Sequence, residues 1–368
     1  MKSNKKSLTG NSLHLGTFAG IPVKVHWTFG LLILFVIYTT FSNGWKMGQS
    51  VGFIVYVLAL FLCVVLHEYG HALTARRFGV GTQDILLSPI GGVARLRSMP
   101  DKPMEEFFIA IAGPLVNVVI GSVLAIILLL STGIIEPDLV NWQFDDPIEL
   151  LRFITYMNFA LFFFNLIPAF PMDGGRILRS LLAAKIGKVK ATRIASFIGR
   201  VIAIGFVIFG IFNQQVILAL IGLFIFTMAG KEYDQTKIMS IINDVKAGDI
   251  MRTKFSRLHL SDSYTSVIEK YYREGEQNFL VFDSLGYLSG TVPELFIKDI
   301  IKNNTSDKSV QQMMSSKKAF ASAADTLIDI IEKMKKEGVA IVAITDDSNI
   351  VGVIDRSGIE NFIRLKSQ

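Results

Sequence analysis

The sequence predicts an α-helical polytopic membrane protein, with six transmembrane helices and short membrane-associated β elements, followed by a C-terminal α/β domain. Three observations predict this class. Hydrophobic side chains make up 51% of the 368 residues and charged ones only 18%, whereas charged residues reach about a quarter in soluble domains. Long stretches of the first 230 residues carry no charge at all. From about residue 231 onward the sequence becomes mixed and polar.

Five uncharged stretches approach or exceed the length of a membrane helix, which needs about 20 apolar residues. The last has 30 residues, which would span about 45 Å as a single helix. Because the polar residues Asn213, Gln214 and Gln215 interrupt it, we interpret it as two helices joined by a hairpin. Six spans are therefore expected, within residues 27–45, 51–66, 107–135, 153–172 and 201–230.

Basic residues indicate the orientation of these spans, since Lys and Arg next to a span favour the cytoplasmic side. Three lysines lie within the first six residues, and the loop at 76–106 holds five basic residues. The stretch 174–200 holds seven basic residues and no acidic one, whereas the loop at 131–149 has five acidic residues and no basic one. The sequence therefore predicts a multi-pass protein of the cell membrane, with its N-terminus and C-terminal domain in the cytoplasm.

The net charge of +6 is explained by these loops and does not indicate a nucleic-acid partner. The single cysteine, Cys63, excludes an intrachain disulfide. We interpret Cys63 as a packed core thiol, because free cysteine usually behaves as a small buried hydrophobe. The composition thus indicates the lipid bilayer as the environment of the first part of the chain.

The polar part contains an internal repeat with an offset of 63 residues. Residues 249–251 recur as 312–314, and residues 262–268 recur as 325–331. Each unit is predicted to form a helix begun by a capping Asp or Ser, then a buried strand, a turn and a second strand. We expect a membrane domain at 1–230, a linker at 231–244, and repeat units at about 245–305 and 306–368.

These two units resemble a tandem pair of CBS domains, regulatory modules that often bind adenine nucleotides. In that family the second strand leads into a segment whose Thr or Ser and Asp hold phosphate and ribose. The corresponding stretches here, residues 290–296 and 352–358, lack both at the matching places. Two interpretations stay open: an adenine-nucleotide site, or a structural module through which two chains form a homodimer.

The clearest functional signal is His67-Glu68-Tyr69-Gly70-His71, an HExxH sequence at the inner end of the second span. Histidines four apart lie about 40° from each other on one helix face, so both imidazoles can reach one Zn²⁺. Glu68 projects beside that face, where it can take a proton from water. The alternative is a pair of packing or pore-facing histidines, although ionisable groups at membrane depth are costly without a partner or a function.

A tetrahedral zinc that keeps one water needs a third protein ligand besides the two histidines. The fourth span ends at residues 165–175, where two prolines and a glycine pair must interrupt the helix. Such irregular backbone is tolerated at membrane depth where it lines a cavity or is buried in protein. Asp173 is the only carboxylate in this segment and is the candidate third ligand. The alternative is that Asp173 caps a helix starting at Gly174.

With these residues the chain resembles the site-2 protease family of intramembrane zinc metalloproteases, in its prokaryotic branch with C-terminal CBS domains and without a PDZ domain. The matching motifs follow one another along the membrane part. They are residues 20–27, HExxH at 67–71, a Gly-Gly loop at Gly91 and Gly92, Gly-Pro-x-x-Asn at Gly113, Pro114 and Asn117, and Asn-x-x-Pro with Asp-Gly at Asn165, Pro168, Asp173 and Gly174.

The resemblance implies hydrolysis of peptide bonds within or next to the transmembrane segment of a membrane-anchored substrate, as in regulated intramembrane proteolysis. It implies His67, His71 and Asp173 as ligands of one Zn²⁺, and Glu68 as the base that activates water. By the same resemblance, Asn165 and Asn117 are candidates to donate hydrogen bonds to the oxyanion or to substrate backbone. The alternative for both is a hydrogen bond between helices. The CBS pair is expected to modulate the activity.

Residues 84–96, which include Gly91 and Gly92, are predicted to form a short hairpin. A transmembrane helix must unwind before its peptide bonds are accessible, and a free strand edge can then pair with the extended substrate. The alternative is a plain re-entrant loop. The helix-breaking residues here and at 168–171 would also provide the mobility of a gate.

Two other functions share some of these features. A transporter or channel with a CBS pair would contain similar spans, and an inactive scaffold would bind membrane segments without cutting them. Neither function requires Glu68 directly after His67, or a single Asp in a broken helix. The sequence therefore favours the protease.

Overall fold

The computed structural model describes residues 12–89, 91–97, 100, 102–138, 144–303, 309–347 and 349–367. The N-terminal lysines used to predict the topology lie outside these residues. The chain divides into two compact units, Met1–Tyr233 and Asp234–Gln368. The division falls close to the predicted end of the membrane domain.

The described part of the first unit consists of a small sheet and a set of mostly long helices. The strands are β1 (Ser12–Phe18), β2 (Ile21–His26), β3 (Thr82–Ser88) and β4 (Gly91–Leu96). The helices are α1 (Phe29–Ser42), α2 (Met47–Arg77), α3 (Pro103–Thr132), α4 (Pro147–Leu166), α5 (Asp173–Ile186), α6 (Lys188–Phe212) and α7 (Val216–Asn243). The polar residues 213–215 separate α6 from α7, as predicted.

Five of these helices are long and apolar enough to cross a membrane, namely α2, α3, α4, α6 and α7. The first predicted span, residues 27–45, contains only the 14-residue α1, which is about 21 Å long. The hydrocarbon core is about 30 Å thick. The helix is short because a turn at Asn43 and Gly44, where Gly44 has a φ of 61°, ends it. The multi-pass helical class is confirmed, whereas the prediction of six full-length spans is corrected to five and one short helix.

The four strands form one sheet in the order β1-β2-β3-β4, in which β2 and β3 are parallel. Since β2 precedes α1 and β3 follows α2, these two helices must return the chain to the membrane face from which it started. The pairing thus places the start of α1 and the end of α2 beside the same sheet. The predicted hairpin is confirmed as β3 and β4, and β4 forms one edge of the sheet.

A buried ion cluster joins three strands of this sheet. Asp84 on β3 is fully buried and accepts hydrogen bonds from Lys24 at 2.8 Å and from Arg95 at 2.5 Å. Burial raises the pKa of the Asp84 carboxyl, but the hydrogen bonds and positive charges of Arg95 and Lys24 outweigh this effect and hold its pKa below the ordinary value. The charged carboxylate thus ties β2 to β4 across β3. The apolar face of the sheet packs on α2 around Ala72.

The backbone is interrupted between α4 and α5, as predicted. α4 ends at Leu166, residues 167–172 are irregular, and α5 begins at Asp173. The chain returns so closely on itself that a Cβ on Gly174 would lie 2.3 Å from the carbonyl oxygens of Leu166 and Ile167. Asp173 is the first residue of α5, whose N-cap is Met172, so it does not cap a helix that starts at Gly174.

The second unit contains two repeats with the same topology. The first comprises α8 (Ala247–Ile250), β5 (Arg257–His259), α9 (Tyr264–Arg273), β6 (Phe279–Phe282), β7 (Leu288–Val292) and α10 (Glu294–Asn303). The second comprises α11 (Val310–Met313), β8 (Phe320–Ser322), α12 (Leu327–Glu337), β9 (Ile341–Asp346), β10 (Asn349–Asp355) and α13 (Arg356–Ser367). In each repeat the first strand is parallel to the second, and the second is antiparallel to the third.

The segment predicted as a linker, residues 231–244, is helical. It forms the last part of α7, which ends at Asn243. No proline or glycine occurs between residues 231 and 243, so local sequence does not stop the helix before that point.

Candidate metal centre

The three predicted metal ligands converge in the first unit. His67 Nε2 and His71 Nε2 lie 3.1 Å apart, and each lies 3.2 Å from Asp173 Oδ2. All three residues are buried, with exposed fractions of 6%, 5% and 7%. A tetrahedral zinc ion with bonds of about 2.0–2.2 Å separates its ligand atoms by about 3.3–3.5 Å. The spacing and the donor set, two imidazoles and a carboxylate, therefore fit a zinc ion.

Oxygen atoms of α3 contact the Nδ1 atoms of both histidines, on the side of each ring away from Nε2. Asn117 Oδ1 lies 2.9 Å from His67 Nδ1, and the carbonyl oxygen of Ile109 lies 2.7 Å from His71 Nδ1. With each Nδ1–H donated to one of these oxygens, the Nε2 lone pair is directed at the metal site. The α3 helix thus sets both the orientation and the tautomer of the two ligands.

This contact is the hydrogen bond between helices that the sequence left open as the alternative for Asn117, since its Oδ1 is engaged with His67. Asn117 is only 1% exposed, and its Nδ2 has no hydrogen-bond partner among the described residues. Because Nδ2 is the atom that would donate to an oxyanion or to substrate backbone, that role of Asn117 stays a prediction. The contribution of Ile109 was missed, because a backbone carbonyl leaves no signal in the sequence.

The surface of α3 leaves space for an ion at Gly113. A Cβ built on this glycine would lie 2.2 Å from His71 Nε2 and 2.7 Å from His67 Nε2. Both distances are far below van der Waals contact, so any side chain at this position would occupy the ligand cluster. Gly113 was noticed only as part of a family motif, and its role depends on the packing of α3 against α2.

Glu68 contacts the sheet through strand β4. It is half-buried, and its Oε2 accepts the backbone N–H of Ala94 in β4 at 2.7 Å. A Cβ on Gly92 would lie 2.9 Å from Glu68 Cγ, so β4 approaches α2 closely because residue 92 has no side chain. The predicted base, Glu68, is therefore held against the edge strand β4. In the sequence it directly follows His67, a candidate metal ligand.

Within the described ranges, Gly91 and Asn165 make no hydrogen bond to the three candidate ligands. Gly91 begins β4 with a φ of 138°, a conformation that favours glycine. Asn165 is half-buried in the last turn of α4, and its side chain has no recorded hydrogen bond with the described residues. Their assignment to substrate or oxyanion binding stays a prediction.

Comparison with protein families supports this arrangement. The family model described as peptidase family M50 matches residues 55–148 and 133–209, a region that includes all three candidate ligands and Glu68. The family model of the CBS domain matches residues 310–364, which cover most of the second repeat.

Individual relatives agree with these family matches. A zinc metalloprotease of Methanocaldococcus jannaschii is 40% identical over 243 residues, which is 65% of this chain and 66% of that protein. A Mycobacterium tuberculosis protein named for zinc metalloprotease activity, Rip3, is 28% identical over 96% of this chain and 93% of its own length. The solved site-2 protease from Methanocaldococcus jannaschii is 38% identical over 60% of this chain and 95% of that chain, with a TM-score of 0.45.

Proposed function

Because this chain belongs to the site-2 protease family, peptidase family M50, whose members are intramembrane zinc metalloproteases, we propose that it hydrolyses peptide bonds within or next to transmembrane segments of membrane-anchored proteins. The observation that carries this proposal is the convergence of His67, His71 and Asp173. Glu68 directly follows the first of them on the same helix. A pair of packing histidines would not need a buried carboxylate from a second, interrupted helix.

In the proposed mechanism, each residue has one task. His67, His71 and Asp173 would hold one zinc ion per chain, which when bound would supply Lewis-acid chemistry. Glu68 takes a proton from the attacking water and gives it to the leaving amine. The hydrogen bond that Glu68 accepts from Ala94 holds its carboxylate against β4.

We propose that the unwound substrate adds to the free edge of β4. Among the described strands, β4 pairs only with β3, so its other edge is open to a further strand. The N–H of Ala94 donates to Glu68, so the proposed base contacts β4 itself. A substrate strand bound there would bring its peptide carbonyls next to Glu68. Gly91 and Asn165 are the remaining proposed substrate contacts.

We further propose that the N-terminus and the CBS pair lie on the cytoplasmic side of the cell membrane. The basic loops of the sequence support this orientation. The parallel pairing of β2 with β3 supports it too, because it requires both strands to lie on the same face of the membrane as the basic 76–106 loop.

Removal of the metal is the test of the protease assignment. Full-length protein is reconstituted in liposomes with a membrane-anchored substrate, and the products are identified by mass spectrometry. We expect cleavage within or next to the transmembrane segment, loss of cleavage on chelation to the uncatalysed background, and recovery on addition of zinc. Cleavage that continues without metal would contradict the mechanism. An absence of cleavage with zinc bound would favour a scaffold.

For the CBS pair we propose a structural, modulatory role rather than a nucleotide site of the usual kind. Asp355 stands where the family commonly has Thr or Ser, and it is 3% exposed. Its Oδ2 lies 3.2 Å from Arg252 Nη2, and its Oδ1 accepts the N–H of Gly358 at 2.9 Å. Both carboxylate oxygens are thus engaged within the protein. In the first repeat the matching residue is Pro293, which has no side-chain donor or acceptor.

Calorimetry with ATP, ADP and AMP on the full-length protein tests this assignment. We expect no heat of binding with any of the three nucleotides, because neither repeat offers the hydroxyl and carboxylate that hold phosphate and ribose. The proposed role is then a contact with a second copy of the chain. Saturable heat with any one nucleotide would show that the module is a ligand sensor.

A further inference from the structure

Arg179 is a buried charge that the mechanism above does not use. It lies on α5, six residues after Asp173, and its side chain is only 1% exposed. A guanidinium is retained in such a place only when its charge and its N–H donors are matched by partners. Arg179 belongs to none of the motifs identified in the sequence.

Two carboxylates from different helices hold this guanidinium. Glu106, near the start of α3, accepts hydrogen bonds from Arg179 Nε at 2.8 Å and also from Nη2. Glu232 on α7 accepts a hydrogen bond from Arg179 Nη1 at 2.5 Å. Because the five guanidinium donors lie in one rigid plane, two partners in different directions fix the orientation of that plane.

The fixed guanidinium lies over the ring of Phe170. Arg179 Cζ is 4.9 Å from the ring centroid, within the range of a cation–π contact. Phe170 is 1% exposed and belongs to the irregular segment 167–172, three residues before Asp173. The backbone of this segment makes turn hydrogen bonds, such as Met172 N–H to the Ala169 carbonyl at 3.0 Å, but none of a regular helix or strand. Contacts of its side chains therefore add to what defines its path.

The ion pair of Arg179 with Glu106 also involves α3, the helix that contacts both histidines. Glu106 lies on α3, three residues before Ile109, whose carbonyl oxygen orients His71. Arg179 therefore connects α3, which orients His71, with the segment that leads into Asp173 at the start of α5. Glu232 adds α7 to this connection.

We propose that Arg179 is a positioning residue, which fixes the irregular segment through Phe170 and so keeps Asp173 at coordinating distance from His67 and His71. The inference rests on the proposed zinc site. It predicts that metal affinity depends on the planar set of N–H donors of the Arg179 guanidinium, and not only on its positive charge.

Replacement of Arg179 by lysine tests the role of the planar guanidinium, since lysine keeps the charge and loses the planar donors. Zinc affinity of the full-length protein is measured in detergent by competition with a chromogenic chelator, without substrate. We expect about a tenfold loss of affinity, which is typical of residues that support metal ligands. A purely structural role would lower the unfolding temperature of the metal-free protein and leave the zinc affinity unchanged.

Phe170→Leu provides a second variant that keeps the ion pairs of Arg179 and a buried apolar side chain. We expect it to weaken zinc binding as well, because the ring on which the guanidinium lies is gone. Arg200→Lys is the matched control, since Arg200 lies over Phe226 at 5.3 Å and touches no part of the metal site in the described contacts. Its zinc affinity should equal that of the unchanged protein.

Wild-type zinc affinity in both Arg179→Lys and Phe170→Leu would overturn the proposal. If Arg179→Lys does not fold, Phe170→Leu alone decides between the two outcomes. Because no substrate enters the measurement, the result stays interpretable even if the protein cleaves none of the substrates tested for the proposed function.

Discussion

Replacement of Glu68 by glutamine is expected to lower proteolysis by about a thousandfold or more, while the protein keeps its zinc. A glutamine amide has nearly the shape of the carboxylate but cannot take up a proton from water. Its carbonyl oxygen can still accept the N–H of Ala94, which now donates to Glu68 over 2.7 Å, so the contact with β4 is preserved. The metal ligands are unchanged. The expected result is therefore a folded, zinc-bound and inactive protein.

The measurement combines cleavage in liposomes with elemental analysis of zinc. Glu105→Gln is the matched control, because Glu105 lies at the start of α3 and pairs only with the exposed Lys102 in the described contacts. It should cleave at the normal rate. Proteolysis by the Glu68→Gln variant at more than a small fraction of the normal rate would rule out Glu68 as the general base. Loss of zinc from that variant would assign Glu68 to the metal site itself.

Replacement of Gly113 by alanine is expected to weaken zinc binding strongly and to lower proteolysis with it. The new Cβ would lie 2.2 Å from His71 Nε2, so the imidazole would have to leave its present place. The hydrogen bond of 2.7 Å between His71 and Ile109 opposes that movement. We expect zinc affinity to fall by about 100-fold or more, beyond the usual effect of a residue that only supports a ligand.

The fold should survive the same change. Alanine stabilises a helix interior by about 1 kcal/mol relative to glycine, so α3 itself does not become weaker. Gly205→Ala on α6 is the matched control, because a Cβ there meets no atom within 4 Å. Competition with a chelator and thermal unfolding of the metal-free protein are measured for both variants. Normal zinc affinity in Gly113→Ala would show that the site does not have the geometry described above.

Local patterns in the sequence predicted the elements and the chemical groups of this protein. His67 and His71 share a helix face because they are four residues apart, whatever the rest of the chain does. The prolines and glycines around Asp173 predict a break because each acts on its own backbone. The hairpin at β3 and β4 and the repeat of the second unit were predicted in the same way, and the structure confirms them.

The sequence was a weaker guide where the length of a helix or the role of a side chain depends on residues elsewhere in the chain. α1 was expected to be a full span because residues 27–45 carry no charge, but a turn at Gly44 ends it early. For Asn117 the sequence left two roles open, and the structure shows a contact of its Oδ1 with His67, 50 residues away in the sequence. Such pairs follow no helix or strand period, so a single sequence does not reveal them.

The sequence by itself therefore determined the membrane class, the two-part organisation and the set of groups able to bind zinc. Tertiary structure alone decided that Asp173 meets His71, 102 residues away, that Gly113 leaves the ligand cluster unobstructed, and that β4 lies against Glu68. The physical reason is the range of the interactions. Backbone preferences and hydrophobic periodicity act over a few residues, whereas a metal site requires atoms from separate helices to be placed to within a fraction of an ångström.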